Sequence, residues 1–221
     1  MAEEFIPGAH ILGSDPPQPA ETVGYRLVNP HTPSNQNHLM LRIKNPEKSL
    51  QFYKEGLGFR TIFTFNTGLW TSSSPSVPNF RKVYYLGHPN SPEETSTEML
   101  QTLGTRKGLL ELYHIPHDET MRYESGNVPG VPGFGHVGFT VPNVAAALER
   151  LKKVCPEVKV LKDVGVDKFE TMGVPGLGVG EERAGTENDI VEEGYKKVFR
   201  QLAFVEDPDG YWVELVPEVV V

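Results

Sequence analysis

The 221-residue chain has a single cysteine, Cys155, so no internal disulfide can staple it and a reducing compartment is expected. Cys155 ends a helix-forming run just before Pro156, and packing is its expected role. No apolar run comes near the roughly 20 residues a membrane-spanning helix needs, so no membrane partner is expected. The N-terminus, Met1 to Gly8, lacks a basic stretch followed by an apolar one, which speaks against a secretory signal and for the cytoplasm. Basic residues are outnumbered, 21 against 29 acidic ones, and nowhere cluster, which excludes a phosphate-tracking surface and with it a nucleic-acid partner. The remaining composition, 38% hydrophobic and 23% charged, suits a globular protein with one large core or two small ones.

Residues 1–37 are rich in proline, glycine, asparagine and serine without periodicity and read as an N-terminal arm; His10 and His31 lie in it and are expected to be solvated. Order begins with a strand-like run, His38 to Ile43. Asn45-Pro46-Glu47 then supplies a helix cap, a proline at the first helical position and an acid in the first turn. Leu50, Phe52, Tyr53 and Leu57 follow at helical spacing, and Gly56 and Gly58 end the helix. Strands are predicted at 59–65, 81–86 and 109–114, separated by loops at 66–79 and 87–107.

The second half repeats the order. A strand at 135–141 leads into Pro142-Asn143-Val144, a helix at 145–153, and strands at 158–161, 199–205 and 211–216. The last two are joined by an Asp207-Pro208-Asp209-Gly210 turn. An extra piece at about 163–197, glycine-rich at first and with a predicted short helix at 188–197, has the length of a lid or binding loop. The expected organisation is an arm (1–37), a first module (38–117), a linker (118–134), a second module (135–217) carrying the insertion, and a tail (218–221).

Equivalent places in the two halves carry the same chemistry. His38 and His136 open the first strands, 98 positions apart; Glu111 and Glu214 lie in the last strands, 103 apart. Modules related by a pseudo-twofold axis would aim these side chains at one place. Imidazole and carboxylate are ordinary ligands of Zn2+, Ni2+, Co2+ or Fe2+, and a bound carboxylate can also take a proton. Taken one at a time, a strand histidine or glutamate is most simply a surface or polar core residue; the repeat is what favours a metal site.

The segments His38 to Gly58, Leu110 to His114, Gly133 to Gly138 and Asp207 to Leu215 resemble the vicinal oxygen chelate superfamily, and within it the glyoxalase I (lactoylglutathione lyase) family, over roughly residues 36–217. The resemblance implies an α+β fold of two βαβββ modules whose curved mixed sheet surrounds one divalent ion held by His38, Glu111, His136 and Glu214. It implies Zn2+ first, with Ni2+ or Co2+ as alternatives, and glutathione as co-substrate. Glu214 would take the C1 proton of the hemithioacetal of methylglyoxal and glutathione, with Glu111 in the symmetric role. Arg42 would bind a glutathione carboxylate, and Val83 and Tyr85 would line the pocket. A homodimer acting on a small molecule is the implied assembly.

Two family positions for glutathione differ. Where relatives carry threonine and, two residues on, asparagine after the first-module glutamate, this chain has Tyr113 and Ile115; where they often place an arginine before the Gly-Phe-Gly-His run, it has Pro132. A bulkier, non-glutathione metabolite and a metal-free binding protein of the same fold stand as alternatives. Extradiol dioxygenases share the fold but use two histidines and one glutamate, one ligand fewer than here.

Overall fold

In the computed structural model, which describes residues 10–25, 37–70, 79–116, 122–128, 131–166 and 193–220, the helix that follows the first strand of each module starts on an asparagine. Asn45 Oδ1 accepts from the Lys48 N–H at 3.1 Å, and Asn143 Oδ1 from the Ala146 N–H at 2.9 Å. These side chains satisfy amides that the first helical turn leaves without partners. The first caps α1 (Pro46–Leu50), which continues as a π-helical turn, Gln51–Gly56; the second caps α3 (Val144–Val154). Gly58 then reverses the chain at φ +77°, and a Cβ there would lie 2.4 Å from Thr22, so both backbone and space demand glycine.

The described residues divide into two compact units, one built on the first module and one on the second. In the first, β1 (His10–Leu12), β2 (His38–Ile43), β3 (Arg60–Trp70), β4 (Asn79–Gly87) and β5 (Leu109–His114) form a sheet in the order β1-β3-β4-β5-β2. In the second, β8 (His136–Val141), β9 (Lys159–Lys162), β10 (Ala203–Glu206) and β11 (Trp212–Pro217) form a sheet in the order β8-β11-β10-β9. Leaving out β1, the two topologies are the same: first and fourth strands pair parallel, all other pairs antiparallel. The chain is therefore α+β, one βαβββ unit written twice, and each unit hydrogen-bonds its own sheet.

Several segments differ from the sequence-based expectation. Residues 66–70, expected as loop, extend β3, and Asn79 starts β4, because the β3–β4 pairing runs on through Gly68↔Arg81 to Trp70↔Asn79; residues 71–78 lie outside the described part. The stretch 87–107 holds a helix, α2 (Ser96–Gln101), started by a complete capping box. There Glu98 N–H donates to Thr95 Oγ1 at 3.3 Å, and Thr95 N–H donates back to Glu98 Oε2 at 2.7 Å. β6 (Asn127–Val128) and β7 (Val131–Pro132) pair antiparallel. Phe199, expected in a strand, instead ends α4 (Glu193–Phe199), and β10 begins at Ala203. Of the helix expected at 188–197, only the part from Glu193 falls within the described residues, as do only the ends of the 163–197 insertion.

Of the N-terminal segment, residues 10–25 are described, and those up to Val23 belong to the first unit. β1 pairs antiparallel with β3, and just beyond it Asp15 accepts the Thr61 N–H at 2.6 Å, pairs with Lys54, and offers its carbonyl to Arg60 at 2.8 Å. Each sheet has one buried face. In β2, Leu41 and Ile43 are buried while His38, Met40 and Arg42 are exposed; in β8, Val137, Phe139 and Val141 are buried beneath the same alternation. That leaves the opposite face of each sheet for chemistry.

Candidate active site

The register of the first sheet arrays its open face in rows. Met40, Glu111, Tyr85 and Phe63 stand side by side on β2, β5, β4 and β3; the next row is Arg42, Tyr113, Val83 and Phe65; His38 stands beside Leu109 one row the other way. Cross-strand partners share a face, so Arg42, Val83 and Tyr85 are all on the face that carries His38 and Glu111. His38 Nε2 comes within 3.3 Å of Glu111 Oε2, and its ring lies 5.4 Å from that of Tyr85, which stacks on Phe63 at 4.9 Å. Arg42, exposed, is four residues along β2 from His38, about 13 Å at strand rise. Tyr113 points its hydroxyl to Thr67 Oγ1 at 3.2 Å.

The second sheet reproduces this pattern position for position. Gly138, Glu214, Phe204 and Lys162 form the row equivalent to Met40, Glu111, Tyr85 and Phe63, and His136 stands beside Trp212 as His38 does beside Leu109. His136 Nε2 lies 3.2 Å from Glu214 Oε2, and its ring packs edge-on to Phe204, again at 5.4 Å. Differences between the halves are confined to the neighbours. Gly138 leaves open space where a Cβ would sit 3.4 Å from Glu214 Oε2, whereas Met40 stands opposite Glu111.

The hydrogen bonds around His38 determine what its pair with Glu111 can hold. Asn37 Nδ2 donates to the carbonyls of Leu103 (3.1 Å) and Arg106 (3.4 Å), so its Oδ1, 3.0 Å from His38 Nδ1, is an acceptor. His38 Nδ1 therefore carries the hydrogen, and in the neutral imidazole Nε2 presents a bare lone pair to a carboxylate oxygen. Two acceptors meeting at 3.3 Å repel unless a cation or proton lies between them. Atoms bonded to one ion at about 2.0–2.2 Å in neighbouring positions stand about 3.0–3.4 Å apart, which is the spacing of both pairs. The donors fit a divalent ion. Among the described residues no group of three or more His, Cys, Asp or Glu side chains comes together, so each unit presents two donors. Asn37→Leu, which strips the second support from His38, is expected to weaken Zn2+ binding about 10- to 100-fold in competition with a chromophoric chelator. Unchanged affinity would show that Asn37 does not orient the imidazole.

Charge reaches the neighbouring phenols. Tyr85 has its pKa raised by burial and by the charge of Glu111; Tyr195, on α4, has its pKa raised by burial and by the charge of Glu214. Tyr195, Asn37, Gly138 and Phe204 belong to the two half-sites but carry no sequence signal of their own. Asn37 precedes the first candidate histidine in a segment without periodicity, and Tyr195 lies near the end of the insertion. Only the module alignment, Tyr85 against Phe204 and Met40 against Gly138, would have pointed to the others.

Residues 35–215 match the Glyoxalase/Bleomycin resistance protein/Dioxygenase superfamily, and the chain belongs to it. Among curated proteins it is similar to a lactoylglutathione lyase of Pseudomonas aeruginosa, 32% identical over 187 residues that cover 81% of this chain and 80% of that one. A lactoylglutathione lyase of Pseudomonas putida is 31% identical over 185 residues, covering 81% and 83%. A solved glyoxalase I of Zea mays superposes with a TM-score of 0.45 at 18% identity, covering 82% of this chain and 45% of that one.

Proposed function

We propose that the protein is a lactoylglutathione lyase, isomerising the hemithioacetal of methylglyoxal and glutathione to S-lactoylglutathione. The observation that carries this is the duplicated His–Glu pair, at 3.3 and 3.2 Å on equivalent rows of two like sheets, in a chain about a third identical to proteins of that name. The residues that would hold a divalent ion are His38, Glu111, His136 and Glu214, with Zn2+ in first place and Ni2+ or Co2+ as alternatives. When bound, that ion supplies the positive charge that stabilises negative charge developing on the substrate oxygens.

The side chains do the rest. Glu214 removes the proton from C1, leaving an enediolate, and the same carboxylic acid returns it to C2, so no proton is gained or lost overall. Glu111 serves the opposite face of the substrate. Arg42 offers a fork of donors to a glutathione carboxylate, and Val83, Tyr85 and Phe63 give the aldehyde's methyl an apolar wall. The single cysteine suits a reducing compartment, and a cytoplasmic homodimer completes this assignment.

A second thiol is favoured by one specific observation. Tyr113 occupies the position next to Arg42 and is engaged with Thr67, and Ile115 brings no polar group where the related enzymes offer an amide. An adduct with a larger or less anionic thiol would suit this lining. The test is thioester absorbance from methylglyoxal with glutathione and with a panel of other thiols, on protein loaded in turn with Zn2+, Ni2+ and Co2+. Thioester with glutathione is expected; thioester with another thiol alone moves the substrate, and none with any combination removes the activity.

A further inference from the structure

The two half-sites agree in their main dimensions. The His–Glu distances are 3.3 and 3.2 Å, and each histidine ring lies 5.4 Å from an aromatic ring of the neighbouring row. Exposure does not separate them either: 40% and 20% for the side chains of His38 and Glu111, 36% and 17% for those of His136 and Glu214. They part at the residue before the histidine. Asn37 precedes His38 and Gly135 precedes His136, at equivalent places, since His38 stands beside Leu109 as His136 does beside Trp212. Both backbones are anchored there: the Asn37 carbonyl accepts from the Leu109 N–H at 3.0 Å, and the Gly135 carbonyl accepts from Asn127 Nδ2. The side chain is what differs.

In the first unit that side chain ties His38 to a braced segment. Asn37 Nδ2 donates to the carbonyls of Leu103 and Arg106, and its Oδ1 takes the Nδ1 hydrogen of His38 at 3.0 Å. Arg106 is in turn fixed by Met99 O, His88 O and Glu94. His38 therefore holds one tautomer and one ring orientation in advance, with its Nε2 lone pair toward Glu111. Gly135 has no side chain to do this, and among the described residues nothing hydrogen-bonds His136 Nδ1. The His136 imidazole can exchange tautomers and turn, so fixing it in a ligand bond costs entropy that His38 has already lost. Gly138 adds to the contrast: a Cβ there would lie 3.4 Å from Glu214 Oε2, whereas Met40 stands at that register position beside Glu111.

We propose that the two half-sites are unequal toward a divalent ion: His38 and Glu111, preorganised by Asn37, hold it more tightly, and His136 and Glu214, between Gly135 and Gly138, form the weaker pair whose bonds exchange. The sharing of one ion by both pairs rests on the assignment above, but the inequality is a property of each unit by itself. It also gives the duplication a use. One copy keeps the ion, and the other, which carries the assigned base Glu214, stays free to release a carboxylate oxygen for the substrate.

Zn2+ affinity of the full chain, measured by competition with a chromophoric chelator, tests this without reference to turnover. His38→Ala is expected to weaken binding roughly tenfold or more beyond His136→Ala, the worth of the outer support that only His38 has. In an Asn37→Gly background, where both positions are glycine, the two alanine variants are expected to fall within roughly threefold of each other. Gly135→Asn supplies the missing support and is expected to tighten binding roughly three- to tenfold. Its Cβ would meet nothing within 4 Å, and Gly135 is not in the left-handed region, so this variant keeps the test open should Asn37→Gly fail to fold. Equal losses in the two alanine variants overturn the proposal. So does a gap that survives Asn37→Gly, or an affinity that Gly135→Asn leaves unchanged. Elemental analysis separates this from the reading beneath it: two ions per chain would end the sharing of one ion, and the alanine variants would still rank the two pairs.

Discussion

Replacing Glu214 by glutamine is expected to lower kcat by roughly 10²- to 10⁴-fold, the range that a positioned base contributes, while substrate binding changes little. Glutamine has the same shape and keeps an oxygen that can face His136, but the amide cannot accept a proton. Glu111→Gln is expected to lose less, for a reason visible beside each carboxylate. Gly138 leaves room next to Glu214 Oε2, so that carboxylate can turn between its histidine and a substrate carbon. Met40, a residue with a side chain, stands at the equivalent register position next to Glu111. Steady-state kinetics of the two variants on one metal decide this. A Glu214→Gln enzyme within tenfold of wild type, beside an inactive Glu111→Gln enzyme, would exchange the two roles.

The largest expected effect on stability lies far from the site. Replacing Glu94 by leucine is expected to destabilise the first unit by about 3–5 kcal/mol, a large part of an ordinary domain's total. Arg106 and Glu94 pair with side chains only 7% and 11% exposed. The rest of the Arg106 guanidinium is fully engaged, Nε with Met99 O (3.2 Å) and Thr102 Oγ1 (2.9 Å), Nη1 with His88 O (3.1 Å). It ties the end of α2 to the end of β4 and cannot swing out to water when its partner goes. Leucine would therefore leave a buried cation without its counter-charge. Glu94→Gln, which keeps an acceptor for Arg106, is expected to lose roughly half as much. Urea denaturation of the variants measures both, and a loss below about 1 kcal/mol for leucine would show that Arg106 finds water or another acceptor.

The duplication, its strand order and a histidine facing a glutamate in each module were legible because each rests on local chemistry. Asparagine caps, alternating apolar strands and a repeated His-to-Glu spacing need no distant contact to be read. The helix at 96–101 was missed: Thr95 and Glu98 form its capping box, but they sit in a polar stretch that reads as a loop. The long β3–β4 hairpin was not legible. Residues 66–70 have a glycine and polar side chains, and their strand conformation is imposed by pairing with β4. The same holds for β1, whose three residues are a strand only because β3 offers a free edge.

By itself the sequence determined which residue types stand at equivalent positions of two modules, since a repeat needs only counting along one chain. Tertiary structure alone decided the rest. It brought each histidine to 3.2–3.3 Å from its glutamate, oriented His38 through Asn37, and packed Phe199 of α4 on Phe204, the strand partner of Glu214. Those contacts join residues far apart in the chain, and the directions of lone pairs and rings arise only when strands settle into register.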